Sequence, residues 1–153
     1  MVRLTDFDDI GRDYYESMEM PRFDTTPWVL PKPMAESRIA IISTAGLQRR
    51  GDRPFSMDSG DYRLLPGDLR AADLVMSHIS TNFDRTGFQQ DHNVVFPIDR
   101  LNELAAQGVV GSVASVHYSF MGATHPAKLE RTARQLAGML KQDQVDAVLL
   151  VPV

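Results

Sequence analysis

The chain carries four histidines, His78, His92, His117 and His125, with Asp84 and Asp91 close by in sequence. Imidazole changes charge near neutral pH, and together with carboxylate it suits general acid–base work or a divalent transition metal. The spacing matches no compact metal motif, so a metal hydrolase built on His78, Asp91, His92 and His117 ranks below the other readings, and no metal ligand set is assigned. His78 is the best placed of the four, because Ser77-His78-Ile79-Ser80-Thr81-Asn82 ends an apolar run with polar side chains. Asp84-Arg85 and Asp99-Arg100 each set an acid beside a guanidinium. The second pair reads as electrostatics at a helix end. The first lies in a long loop, where an arginine can hold a substrate carboxylate with two hydrogen bonds.

A third candidate is Ser43-Thr44-Ala45-Gly46-Leu47, where a glycine allows close backbone approach and hydroxyls can bind an anion. It has neither the three-glycine dinucleotide fingerprint nor a P-loop lysine, and no Gly-x-Ser-x-Gly elbow makes Ser43 a nucleophile. The cysteine count is zero. Disulfides, cysteine-ligated zinc, iron–sulfur clusters and thiol catalysis are therefore excluded within these residues.

The elements that must position these groups follow from periodicity. Ile39-Ala40-Ile41-Ile42 is a short β-branched run typical of a buried parallel strand. Leu47 to Gly67 reads as a long polar loop broken by Gly51, Pro54, Gly60 and Pro66, and Leu74 to Ile79 as a second strand of the same sheet. Pro97 to Gly108 has helix signals at both ends, with Ile98, Leu101, Leu104 and Ala105 on one face. Ser112 to Ser119 is a third strand. Pro126 opens a helix whose apolar stripe is Leu129, Ala133, Leu136, Ala137 and Leu140. Asp146 to Val153 reads as a buried central strand. The expected fold is α/β, an open and mostly parallel sheet with covering helices, Rossmann-like or flavodoxin-like, truncated after a strand. In such sheets ligands sit beyond the carboxyl ends of the strands. The relevant loops then begin at Thr44, His78, Tyr118 and Val153.

Residues 1–36 form an extended arm and 37–153 the α/β domain, the first part of a longer one. Four of the nine prolines (Pro21, Pro27, Pro31 and Pro33) fall in that arm. A short helix is expected around Asp6 to Met18, and Trp28-Val29-Leu30 is expected to dock on the domain, with a second subunit as the other option. Hydrophobic residues make up 43% and charged residues 24%, a globular composition, and the net charge of -4 argues against a nucleic-acid partner. No apolar run approaches the roughly 20 residues of a bilayer span, and no secretory signal opens the chain. A cytoplasmic, non-membrane protein is expected.

Three segments carry a resemblance. Ser77-His78-Ile79-Ser80-Thr81-Asn82-Phe83-Asp84, Asp91-His92-Asn93-Val94-Val95-Phe96-Pro97-Ile98-Asp99-Arg100-Leu101 and His117-Tyr118-Ser119-Phe120-Met121-Gly122 are similar to the glycine/sarcosine/betaine reductase and D-proline reductase selenoprotein B family. The resemblance implies reductive cleavage of a carbon–nitrogen bond by a selenocysteine, or a cysteine in its place, with a pyruvoyl group on a partner subunit activating the amine. It implies the selenocysteine or cysteine directly after a strand like Val148 to Val153, so that this chain is a fragment ending just before the nucleophile. No cofactor is expected within the chain itself. His78 and His117 are then the candidates to assist proton transfer, and Thr44, Gly46, Asn82, Asp84, Arg85 and Tyr118 the candidates to bind a small-molecule substrate. A partner reductase subunit and a homo-oligomer are expected. The other reading is a non-catalytic α/β domain that binds a ligand or partner.

Overall fold

The computed structural model describes residues 3–22, 24–26, 28–80 and 84–153. Its centre is β1 (Arg38–Ser43), in which Ala40, Ile41 and Ser43 have no exposed surface. Small and β-branched residues suit this position because both faces and both edges are covered. On one edge β1 pairs in parallel with β7 (Ala147–Val151), Ile39 opposite Ala147 through Ser43 opposite Val151. The other edge is shared. β5 (Ser112–Val113) pairs with its first residues and β6 (Val116–Phe120) with its last, again in parallel. β3 (Tyr62–Pro66) then adds antiparallel to β6. The result is a mostly parallel mixed α/β sheet.

Helices cover the two faces. The 17-residue α4 (Pro126–Gln142) links β6 to β7, with Pro126 in its first turn and the His125 ring accepting the Ala127 N–H at 3.3 Å. Leu136 packs on Tyr118 and Phe120 beneath it. On the opposite face α3 (Ile98–Ala106) contributes Ile98 and Leu101 to a core with Ile39, Ile41, Phe96 and Val110. Gly108, at φ 72°, turns the chain out of α3 as expected of a residue after a helix end. At the amino ends, Arg38 donates to the carbonyls of Val113 and Asp143 and to the Asp143 carboxylate, tying β1, β5 and the end of α4 together.

Three expectations need correction. The stretch 47–67 is not all loop, since it holds β3 and β2 (Leu47–Arg49). Both are short and alternate little, and tertiary pairing decides them. The run from Leu74 yields only β4 (Leu74–Met76), which pairs antiparallel with β2 in a separate two-stranded ribbon. His78 therefore does not follow a strand of the parallel sheet. Finally, β7 is not central here. Val148, Leu149 and Leu150 are exposed, because no strand among the described residues pairs with the far edge.

In the arm, α1 (Asp9–Glu16) forms where helical spacing predicts it, capped by the Asp8 carboxylate on the Gly11 N–H. α2 (Thr86–Gln90) is a short turn of helix in the long loop. The expected docking of Trp28-Val29-Leu30 on the domain is absent, as these residues are 86%, 80% and 98% exposed. No helix among the described residues is long and apolar enough to cross a membrane.

The buried centre of β1 makes Ile41 a sensitive packing position. Ile41→Val should cost about 0.5–1.5 kcal/mol and Ile41→Ala about 2–5 kcal/mol. Urea unfolding at neutral pH measures both.

Candidate active site at the carboxyl ends of the strands

Thr44 follows β1 and binds both neighbouring strand ends. Its N–H donates to the Val151 carbonyl at 3.0 Å, and its carbonyl accepts the Gly122 N–H at 2.8 Å. Its hydroxyl accepts the Val153 N–H at 2.8 Å and donates to the Val153 carbonyl at 3.2 Å. The ends of β1, β6 and β7 thus meet at one residue. Gly122 makes this approach feasible, because a Cβ there would stand 2.5 Å from the Val153 oxygen and 2.8 Å from the Thr44 oxygen. Real Cβ atoms do not reach such distances.

The chain then crosses the end of β6. Gly46 donates to the Phe120 carbonyl and accepts from the Ser77 N–H. At φ 64° it takes a conformation that favours glycine, and a Cβ would lie 3.0 Å from the His78 backbone. The Ser119 hydroxyl accepts the Leu47 N–H and the Ser43 hydroxyl the Ala45 N–H, so neither faces outward.

His78 is buried beside this turn, its Nδ1 accepting the Ser80 N–H at 3.2 Å. Burial and the nearby Arg85 charge lower its pKa, favouring the neutral ring. Arg85 donates to the carbonyls of His78 and Ser80, folding the loop back on itself. Thr44, Gly46, His78 and Arg85 therefore form one connected neighbourhood by bonds and contacts. Asp84 is exposed and caps α2 through the Thr86 N–H, a bond that lowers its pKa. Asn82 lies outside the described residues.

His117 and Tyr118 sit lower in the sheet. Tyr118 is buried against Tyr62, ring centroids 5.8 Å apart, and burial raises its pKa. His117 has no exposed surface, and its Nδ1 accepts the Ile41 N–H at 2.9 Å. This amide faces the edge that β5 and β6 share, at the gap between them, so the ring supplies the ladder bond that the break removes. With Nδ1 accepting, the neutral ring carries its proton on Nε2, which has no partner among the described residues. Desolvation lowers the His117 pKa from 6.5 to about 4.

His92 and Asp91 are joined to Asp99 in a separate surface cluster. Asn93 bonds both carboxylates, and the His92 Nε2 stands 3.4 Å from Asp99. No three His, Cys, Asp or Glu residues among those described converge on a metal-sized site. Gly122, Ser119 and Ser77 hold the site and were not singled out from sequence. A glycine two residues after a strand was the available signal for Gly122.

The architecture defines a class, an α/β domain whose candidate chemistry lies where parallel strands end. The glycine/sarcosine/betaine reductase selenoprotein B family model matches residues 9–153. The chain belongs to that family. It is 33% identical over 123 residues to the D-proline reductase subunit gamma of Acetoanaerobium sticklandii, covering 78% of this chain and 50% of that protein. It is 32% identical over 151 residues to the glycine reductase complex component B subunit gamma of Symbiobacterium thermophilum, covering 92% of this chain and 34% of that protein. The betaine reductase complex component B subunit beta of Peptoclostridium acidaminophilum is 27% identical over 146 residues, covering 92% of this chain and 33% of that protein. The chain thus spans a third to a half of these curated relatives. No solved structure matches.

Two consequences are measurable. Below pH 6.5 the unfolded chain takes a proton on His117 that the folded chain refuses until about pH 4. Stability from this group is therefore present above pH 6.5 and falls with acid across that window, by an amount on the order of 3 kcal/mol. His117→Asn keeps an acceptor for Ile41 and should flatten this slope in urea unfolding at pH 7 and 4.5. In Gly122→Ala, hydrogen exchange at the Thr44 amide should accelerate while Ile41 stays protected.

Proposed function

We propose that this chain is the scaffold half of a reductase site that cleaves a carbon–nitrogen bond in a small amine-bearing substrate, working with a partner subunit in the cytoplasm. The observation that supports it best is the convergence of three strand ends on Thr44, in a family whose named relatives are subunits of glycine, betaine and D-proline reductases.

The nucleophile would be a selenocysteine or cysteine next after Val153 in the complete protein. The residues at the strand ends suit a chalcogen anion. Thr44, Gly46 and Gly122 carry no charge, and the Arg85 cation is anchored to the carbonyl of His78, whose backbone packs on Gly46. A selenolate or thiolate there would supply the electron pair that displaces the amine from carbon, and a pyruvoyl group on the partner subunit would activate that amine.

This chain's own residues aim and insulate the nucleophile. Thr44 holds the last backbone amide and carbonyl before it, so the direction of the following residue depends on that hydroxyl. Gly122 and Gly46 leave room for a substrate to approach backbone. His78 is the nearest neutral imidazole to the Gly46 turn and the candidate to pass a proton to the departing amine. Asp84 and Arg85 would meet the substrate's polar end, while Tyr118 and His117 act from within the sheet through its packing.

The alternative, a binding domain without catalysis, draws on the bare edge of β7. Sequencing the gene past the Val153 codon separates the two: a recoded UGA or a cysteine codon is expected, and any other stop contradicts the proposal. In the complete protein Thr44→Val should lower kcat about a hundredfold by misaiming the nucleophile, with KM little changed. Unchanged kcat would remove Thr44 from the machinery.

A further inference from the structure

We propose that His125 is a positioning residue that fastens the amino-terminal arm over the start of α4, so that the arm segment Ser17–Arg22 forms one wall of the substrate site. The inference rests on the reductase reading and names the element that shapes its binding side.

Both nitrogens of the His125 ring are engaged. Nδ1 accepts the Ala127 N–H at 3.3 Å and so caps α4. With Nδ1 accepting, the ring proton lies on Nε2, which donates to the Glu19 carbonyl at 3.0 Å. One ring thus joins segments 106 residues apart in sequence. Between Met18 and Lys32 this is the arm's only hydrogen bond or ion pair among the described residues. The course of the arm past α4 depends on it.

The latch stands beside the strand ends. His125 follows Gly122 by three residues, a reach of at most about 11 Å. Gly122 in turn is the residue on which a Cβ would meet the Thr44 and Val153 oxygens. The loop between them is itself held, because the buried Thr124 donates its N–H to the Met121 carbonyl and its hydroxyl to the Ser59 carbonyl. Neither the latch nor this loop draws on the edge of β7.

Between the arm and the start of α4 lies an open cavity of about 920 Å³, lined by His125 and by Glu16, Glu19, Met20 and Arg22 of the arm. The neighbouring cations Arg12 and Lys128 are paired elsewhere, with Asp9 and Asp58, and Glu16 and Glu19 form no ion pair among the described residues. The arm therefore brings carboxylates that can accept charge-assisted hydrogen bonds from the ammonium end of a small amine. Thr44, Gly46 and Gly122 at the strand ends supply no such charge.

The test uses the complete protein with its partner subunit and a dithiol as reductant, and reads turnover of glycine, betaine and D-proline, the compounds in the names of its relatives. His125→Asn keeps a good helix cap for the Ala127 N–H but is too short to reach Glu19. It should raise KM for the best of the three substrates about tenfold, with kcat within about twofold of wild type. Tryptic cleavage after Arg22 should run about fivefold faster as the arm lifts, with the rest of the digestion pattern unchanged. His125→Gln sets its amide N–H where Nε2 stands and should return both values close to wild type. Faster cleavage with KM unchanged would overturn the proposal and leave the reductase reading intact, since the arm would then be latched without serving the site. Unchanged cleavage in His125→Asn, or equal loss in both variants, would also overturn it, because the effect would not run through the Glu19 bond. A wild type that turns over none of the three would contradict the reductase reading, and the inference would fall with it.

Discussion

Both edges of β1 are occupied along its length, and they are occupied differently. On one side β7 runs beside it in unbroken register. On the other, β5 takes the first residues and β6 the last, leaving the Ile41 amide without a backbone partner. A buried amide left unpaired costs about 1–3 kcal/mol. The His117 ring fills that vacancy from within the sheet, and the price is an imidazole held neutral with its second nitrogen unbonded. The rest of the fold is arranged around this strand. Arg38 gathers the elements at its amino end and Thr44 gathers them at its carboxyl end.

That arrangement separates the histidines that sequence alone placed together as candidates. His117 serves the ladder, His125 caps α4, His92 belongs to a surface cluster, and His78 alone borders the strand-end turn. The strand ends are held together by close backbone approach more than by titratable groups. Gly122 lets the strand ends come nearer than a side chain would permit, and Gly46, at positive φ, lets the crossing chain lie close on the His78 backbone. A single hydroxyl then ties the end of β7 to β1.

What could be read from sequence follows the strength of local signals. α3, α4 and β1 were legible because their apolar periodicity extends over several residues and agrees with their end signals. The Thr44 to Gly46 turn was legible as the residues after a buried strand. β2 and β3 were not, since three to five residues with mixed polarity acquire strand geometry only from partners distant in sequence. The same applies to β4, whose apolar run does not disclose that it pairs with β2 outside the main sheet. The apolar character of β7 predicted a buried central strand, whereas Val148, Leu149 and Leu150 are exposed, because what covers the far edge of a strand is a property of its neighbours.

Membership of the reductase family and the geometry of the strand ends bear on the same point in the fold, the space beside Thr44, Gly46 and Gly122. The central claim is that the reactive atom of the complete protein stands there. An experimental structure of that protein locates the atom directly. The account predicts a selenium or sulfur atom at the carboxyl ends of β1, β6 and β7, against the Thr44 to Gly46 turn. A nucleophile at the amino ends of the strands, or on a part of the molecule that does not touch this turn, would contradict it.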